Sequence, residues 1–163
     1  MDLQVTKKIA IELLIKHELM KNGWTFDFDR SIRRFGCCHH TYKQITLSKQ
    51  LAFLNNEPDV LDTILHEIAH ALVGPGHGHG FVWKQKAKEI GCNGDRLYHS
   101  GSIKIPPKKY VAICSRCGSV FKRIRMTRRK KACTTCCNKY NRGFFDIKYL
   151  LTWKRNIEEA QNG

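Results

Sequence analysis

No run of eighteen apolar residues occurs in this 163-residue chain, so the sequence offers no membrane-spanning helix. The opening residues, Met1-Asp2-Leu3-Gln4, lack the charged stretch and apolar block of a secretory leader. No internal repeat is visible, which excludes a solenoid or propeller. Acidic residues are scarce where basic ones are dense. Residues 1–102 hold 13 Lys and Arg against 11 Asp and Glu, for +2; residues 103–163 hold 16 against 3, for +13. Nearly all of the formal charge of +15 therefore lies in the last third, and such asymmetry points to a polyanionic partner, most often nucleic acid. Eight cysteines without a leader, four of them in two CxxC pairs, read as metal ligands in a reducing cytoplasm rather than as a disulfide framework. Apolar residues, at 42%, suffice for a core. The length fits one domain with a small appendage.

What is present divides into recognisable segments. Residues 3–21 carry Leu3, Ile9, Ala10, Leu13, Leu14, His17 and Met20 at three- and four-residue steps, which predicts an amphipathic helix. Asn22-Gly23 stops it, and His17 reads as a structural histidine. Trp24–Asp29 alternates apolar and polar residues as a half-buried strand does. Strands over 35–40 and 43–47 would complete an antiparallel meander. Cys37, Cys38, His39 and His40 alternate between strand faces, so no more than two can share a site, and the cysteines read as small hydrophobes. Ser48 caps a helix over 49–54. A longer helix starts at Asn56, with Pro58 in its first turn, and runs to Val73 with Leu61, Ile64, Leu65, Ile68, Ala69 and Leu72 as its buried stripe. Gly74-Pro75-Gly76 ends it. A further helix covers 81–90, and residues 92–108 read as a linker.

The long helix carries His66-Glu67-Ile68-Ala69-His70. Histidines four residues apart lie one turn apart on one face, so both imidazoles reach one metal ion. Glu67 stands where it can reach a metal-activated water without ligating the metal, as a general base. A catalytic zinc needs a third protein ligand and an open fourth position. His77 and His79, just past the helix, are the preferred candidates; the alternative is a distant ligand such as Glu89, which follows Lys84, Lys86 and Lys88 and reads as part of an exposed face. The metzincin pattern H-E-x-x-H-x-x-G-x-x-H is excluded, because the glycine is Gly74 and the next histidine comes one residue late. Tyr98, His99 and Tyr110 are candidates, by position only, for stabilising the oxyanion.

Beyond Tyr110, Cys114-Ser115-Arg116-Cys117 and Cys133-Thr134-Thr135-Cys136 are separated by fifteen residues, the spacing of a four-cysteine zinc site. Cys137 competes with Cys136 for the last position, and CxxC geometry favours Cys136. Strands over 110–113 and 120–125 fit a zinc ribbon whose stability the metal supplies. The tail, with Phe144 to Trp153, is expected to add a strand and a short helix. Between the knuckles lie Lys122, Arg123, Arg125, Arg128, Arg129, Lys130 and Lys131, read as a projecting basic hairpin that neutralises phosphates without reading sequence. Phe121, Tyr140, Phe144 and Phe145 could stack bases, but most of them are expected in the ribbon's small core.

These motifs together resemble the SprT-like, or Spartan-type, zinc metalloproteases. Trp24-Thr25-Phe26-Asp27-Phe28, Arg34-Phe35-Gly36 and Ile45-Thr46-Leu47-Ser48 are similar to that family's stretch ahead of the active helix. Leu65–Ala71 is similar to its core motif. His77-Gly78-His79-Gly80-Phe81 resembles its His-Gly-x-x-aromatic element, which implies His77 as third ligand. Gly80 departs from the glutamate frequent there. Tyr110–Cys136 is similar to the zinc ribbon of bacterial members, so the resemblance spans most of residues 20–137. It implies a compact α+β protease domain and, from characterised members, DNA-stimulated cleavage of proteins crosslinked to DNA.

The sequence therefore predicts an α+β protein. Residues 1–103 form a helical, zincin-like metalloprotease domain with a small antiparallel sheet, and residues 104–163 a basic four-cysteine zinc ribbon. Two zinc ions are expected, one catalytic on His66, His70 and His77, one structural on Cys114, Cys117, Cys133 and Cys136. The expected partners are DNA, single-stranded or bound without sequence preference, and proteins on it. A monomer associated with the nucleoid in the cytoplasm is expected. The rival readings are a catalytically silent DNA-binding scaffold and a zinc hydrolase acting on another substrate; a one-metal site suits amide hydrolysis better than phosphodiester cleavage.

Overall fold

In the computed structural model, which describes residues 1–95 and 103–156, the chain forms two compact units, Met1–Pro106 and Pro107–Gly163. The first begins with helix α1, Leu3–Lys16, capped by the Asp2 carboxylate, which accepts the N–H groups of Gln4 and Val5. The helix is shorter than its apolar pattern suggests: Glu18 takes a positive φ of 57°, and only a 3₁₀ turn, Met20–Asn22, follows before Gly23. Three strands come next, β1 (Thr25–Asp29), β2 (Gly36–His39) and β3 (Gln44–Ser48).

Their order is β1-β3-β2, so the expected meander is not what forms. Strands β2 and β3 make an antiparallel hairpin, but β1 lies parallel to β3, pairing Thr25 with Gln44 through Asp29 with Ser48. The β2 arm serves as the crossover that a parallel pair requires. Local polar contacts fix it. Asp29 accepts from the Ser31 N–H, the Thr46 hydroxyl and the Arg34 guanidinium, at 2.7, 3.0 and 3.1 Å. The Ser48 N–H donates to the Phe35 carbonyl at 2.7 Å. Central strand β3 buries Ile45 through Ser48.

Helix α2, Lys49–Leu54, starts at Ser48, whose hydroxyl accepts the Leu51 N–H. Helix α3, Glu57–Val73, is capped by Asn56, carries Glu57 and Asp59 in its first turn, where the helix dipole favours them, and stops at Gly74 with φ 81°. It is buried on two sides rather than along one stripe. Val60, Ile64, Ile68 and Ala71 join Leu14, Phe26, Ile45 and Leu47 in the main core. Leu65 and Ala69 pack instead with Trp83, Ala87 and Cys92. Trp83 and Ala87 belong to helix α4, Phe81–Glu89. The mixed α+β class is as the sequence implies.

The second unit is built on strands β4 (Tyr110–Ile113), β5 (Val120–Arg123) and β6 (Lys154–Arg155), in the order β5-β4-β6 with both pairings antiparallel. Helix α5, Thr134–Tyr140, begins at Cys133, and a 3₁₀ turn covers Ile147–Tyr149. Four of the seven buried residues in its core are cysteines, beside Ala112, Tyr149 and Leu151. So small an apolar core holds poorly without a metal. No helix among the described residues is long and apolar enough to cross a membrane.

Candidate metal centre and active-site cleft

Helix α3 sets the first two histidines by periodicity alone. One turn separates His66 from His70, and their ring centroids lie 5.1 Å apart. The third imidazole is that of His79, not His77. His79 Nε2 lies 2.9 Å from His66 Nε2 and 3.1 Å from His70 Nε2. Tetrahedral zinc with Zn–N of about 2.0–2.1 Å places its ligand nitrogens roughly 3.3 Å apart. Three imidazoles at this separation fit a metal-binding set. His77, by contrast, is exposed and stands outside that group.

The reason lies in helix α4. The sequence holds two overlapping His-Gly-x-x-aromatic readings, His77 to Phe81 and His79 to Trp83. Phe81, the first residue of α4, is 81% exposed, whereas Trp83 is fully buried. Its indole packs against all three converging rings, 4.5 Å from His66, 5.1 Å from His70 and 4.6 Å from His79. The buried aromatic thus selects the second reading. The His77 carbonyl accepts the Gly80 N–H and closes the turn that delivers His79. Burial at Trp83 was the signal able to separate the two, and helix periodicity across 81–90 hints at it.

Glu67 projects from α3 toward β2. It is 8% exposed, and burial raises its carboxyl to about 7 against the opposing influence of Arg34 and of the Cys38 N–H that donates to it. Gly36 makes room for it: a Cβ at position 36 would lie 2.6 Å from Glu67 Oε1 and 2.7 Å from its Cγ. Burial likewise lowers His66 and His70 to about 4, helped by their histidine neighbours, so both are neutral and able to ligate near pH 7. All these groups face a cleft of about 540 Å³ in the first unit. Cys38 and His40 also line it, with Sγ and Nε2 3.8 Å apart. Burial pushes the Cys38 thiol up to about 12, keeping it protonated. Of the candidate oxyanion donors, Tyr98 and His99 lie outside the described residues, and Tyr110 belongs to β4 of the second unit.

In the second unit Cys114, Cys117, Cys133 and Cys136 converge. The Cys114–Cys136 and Cys117–Cys133 sulfurs are 3.8 and 3.5 Å apart, close to the roughly 3.8 Å separation of thiolates around tetrahedral zinc. Gly118, with φ 71°, makes the turn after the first knuckle. The Cys136 N–H donates to Cys133 Sγ at 3.4 Å. Cys137 is buried in the core and is not part of the four.

The basic segment differs from the expected hairpin. Strand β5 ends at Arg123, and residues 124–131 continue as an irregular loop. Lys122, Arg125, Arg128, Arg129 and Lys130 are exposed, while Arg123 and Lys131 are half-buried. The Arg123 guanidinium lies over the Trp153 ring, 4.8 Å from its centroid. Most of the four aromatics are expected in the core, but only Phe121 packs there; Tyr140, Phe144 and Phe145 are 49%, 71% and 56% exposed.

Two comparisons with known proteins complete the description. The model of the SprT-like family matches residues 7–104, more than half of the chain. No curated protein matches it.

Proposed function

The chain belongs to the SprT-like family, and on that premise we propose that it is a zinc metallopeptidase that cleaves proteins bound or crosslinked to DNA. The observation that carries this reading is the convergence of three imidazoles with one buried carboxylate in a single cleft. His66, His70 and His79 would hold the catalytic zinc, which, when bound, acidifies water and polarises the scissile carbonyl. Glu67, buried in the same cleft, takes a proton from the attacking water and delivers it to the leaving amine. The Cys38 N–H and the close approach of Gly36 hold that carboxylate in place. Trp83 holds the three imidazoles in register from behind.

Cys114, Cys117, Cys133 and Cys136 would hold a structural zinc. The described part of the ribbon carries fifteen Lys and Arg against a single acid, Asp146, which supports sequence-independent binding to DNA through Lys122, Arg123, Arg125, Arg128, Arg129, Lys130 and Lys131. Holding the peptidase on DNA raises its effective concentration against proteins bound there without any specificity in the cut.

The test is cleavage of a protein crosslinked to single-stranded DNA by zinc-loaded wild type and by Glu67→Gln. Wild type should cut the crosslinked protein faster than the same protein free in solution, and the variant should lose at least about a hundredfold in rate. Cleavage by neither would leave a DNA-binding scaffold, and degradation of the DNA would indicate a different hydrolase.

A further inference from the structure

The histidines and Glu67 account for only part of the cleft. The rest is lined by Ile32, Phe35, Leu51, Ile103 and Ile105. Phe35 and Leu51 are core residues, 5% and 4% exposed. Ile105 is different, with 58% of its surface open to water. It lies two positions from Ile103, and both residues line the cleft.

That segment is fixed by a buried clamp. The side-chain amide of Asn55, 3% exposed, pairs with the Lys104 backbone in both directions. The Lys104 N–H donates to Asn55 Oδ1 at 2.7 Å, and Asn55 Nδ2 donates to the Lys104 carbonyl at 3.0 Å. The same Nδ2 donates to the Leu51 carbonyl at 2.8 Å. A polar side chain so fully satisfied is costly to disturb. Ile103 and Ile105 are therefore held as a preformed apolar wall in the cleft that contains the general base.

We propose that this wall is a substrate subsite that receives an aliphatic or aromatic side chain from the residue next to the scissile bond, with Ile105 as its specificity-determining residue. The inference rests on the metallopeptidase reading, since it takes the histidine cleft as the place of cleavage. It has a consequence for substrate choice. Large apolar side chains are mostly buried in folded proteins, so the subsite favours segments that have locally unfolded.

The test uses the full-length zinc-loaded protein and internally quenched peptides that differ only in Leu, Phe or Ser at each position flanking the cut. Wild type should favour Leu or Phe over Ser at one flanking position by at least about tenfold in kcat/KM. Ile105→Asp, a change at an exposed side chain, should reduce that ratio by about tenfold while zinc content stays at the wild-type value. A second readout needs no turnover. Glu67→Gln should bind the Leu peptide more tightly than the Ser peptide in fluorescence anisotropy, and adding Ile105→Asp should abolish the difference. Cleavage without preference, or a preference that survives Ile105→Asp, overturns the subsite and leaves the peptidase reading standing. Failure of wild type to cut any of these peptides with single-stranded DNA present overturns the peptidase reading. Equal binding of the two peptides overturns the subsite.

Discussion

Glu67 and Gly36 form a pair thirty-one positions apart in which one residue's chemistry depends on the other's lack of a side chain. Any Cβ at position 36 meets the carboxylate and its Cγ, and the Cys38 N–H leaves Glu67 little freedom to retreat. Gly36→Ala should lower kcat by about tenfold to a hundredfold, because displacing a reacting group by 1 Å has costs of that order. Zinc content should stay unchanged, since no ligand is touched; an alanine variant with wild-type kcat would show that Glu67 is not positioned from β2. The histidines give a second comparison. Zinc analysis should find two ions per chain in wild type and in His77→Ala, and one in His79→Ala. The reverse result would restore His77 as the third ligand.

At the scale of elements, the first unit depends on how β1 is fastened beside β3. Asp29 joins the two strands to the 31–34 turn. Burial pushes its carboxyl up, but hydrogen bonds from Ser31, Thr46 and Arg34 outweigh that and hold its pKa below the usual 3.8. A depressed folded-state pKa contributes stability that is present above the unfolded value and lost as pH falls through the folded one. Wild type should therefore lose stability below about pH 4 more steeply than Asp29→Asn in denaturant titrations. Equal acid sensitivity would remove Asp29 from the account. In the second unit Cys114, Cys133 and Cys136 belong to both the core and the metal site. Cys133→Ser should release one zinc and abolish amide protection in β4, β5 and α5, while α3 keeps its protection because the main core contains none of these residues.

For the molecule as a whole, the decisive feature is the separation of charge from chemistry. The converging histidines and Glu67 lie within residues 1–102, of formal charge +2, and +13 falls on residues 103–163. If all seven basic residues of the 122–131 segment meet phosphates, the logarithm of affinity for single-stranded DNA should fall against the logarithm of salt with a slope of about −5. Changing Arg128, Arg129, Lys130 and Lys131 to Ala should make that slope shallower by about 3 units. Binding insensitive to salt would refute the electrostatic account. Cleavage of free peptides should be unaffected by these four changes, because none lies in the cleft.

Sequence by itself determined whatever depends on short-range spacing. The His66–Glu67–His70 face follows from the 3.6-residue period, the caps at Asn56 and Gly74 bound the helix that carries it, and the two CxxC knuckles define the ribbon's metal site. Tertiary structure decided what depends on residues distant in the chain or on competition between equivalent neighbours. His77 and His79 are indistinguishable by local pattern until Trp83 is buried beneath the imidazoles. Strand β1 passes over its sequence neighbour to pair with β3, because Asp29 is anchored to Thr46 as well as to the adjoining turn. The space that Gly36 leaves for Glu67 exists only once β2 packs on α3. Local periodicity fixes which face of an element a residue occupies, but packing decides what that face meets.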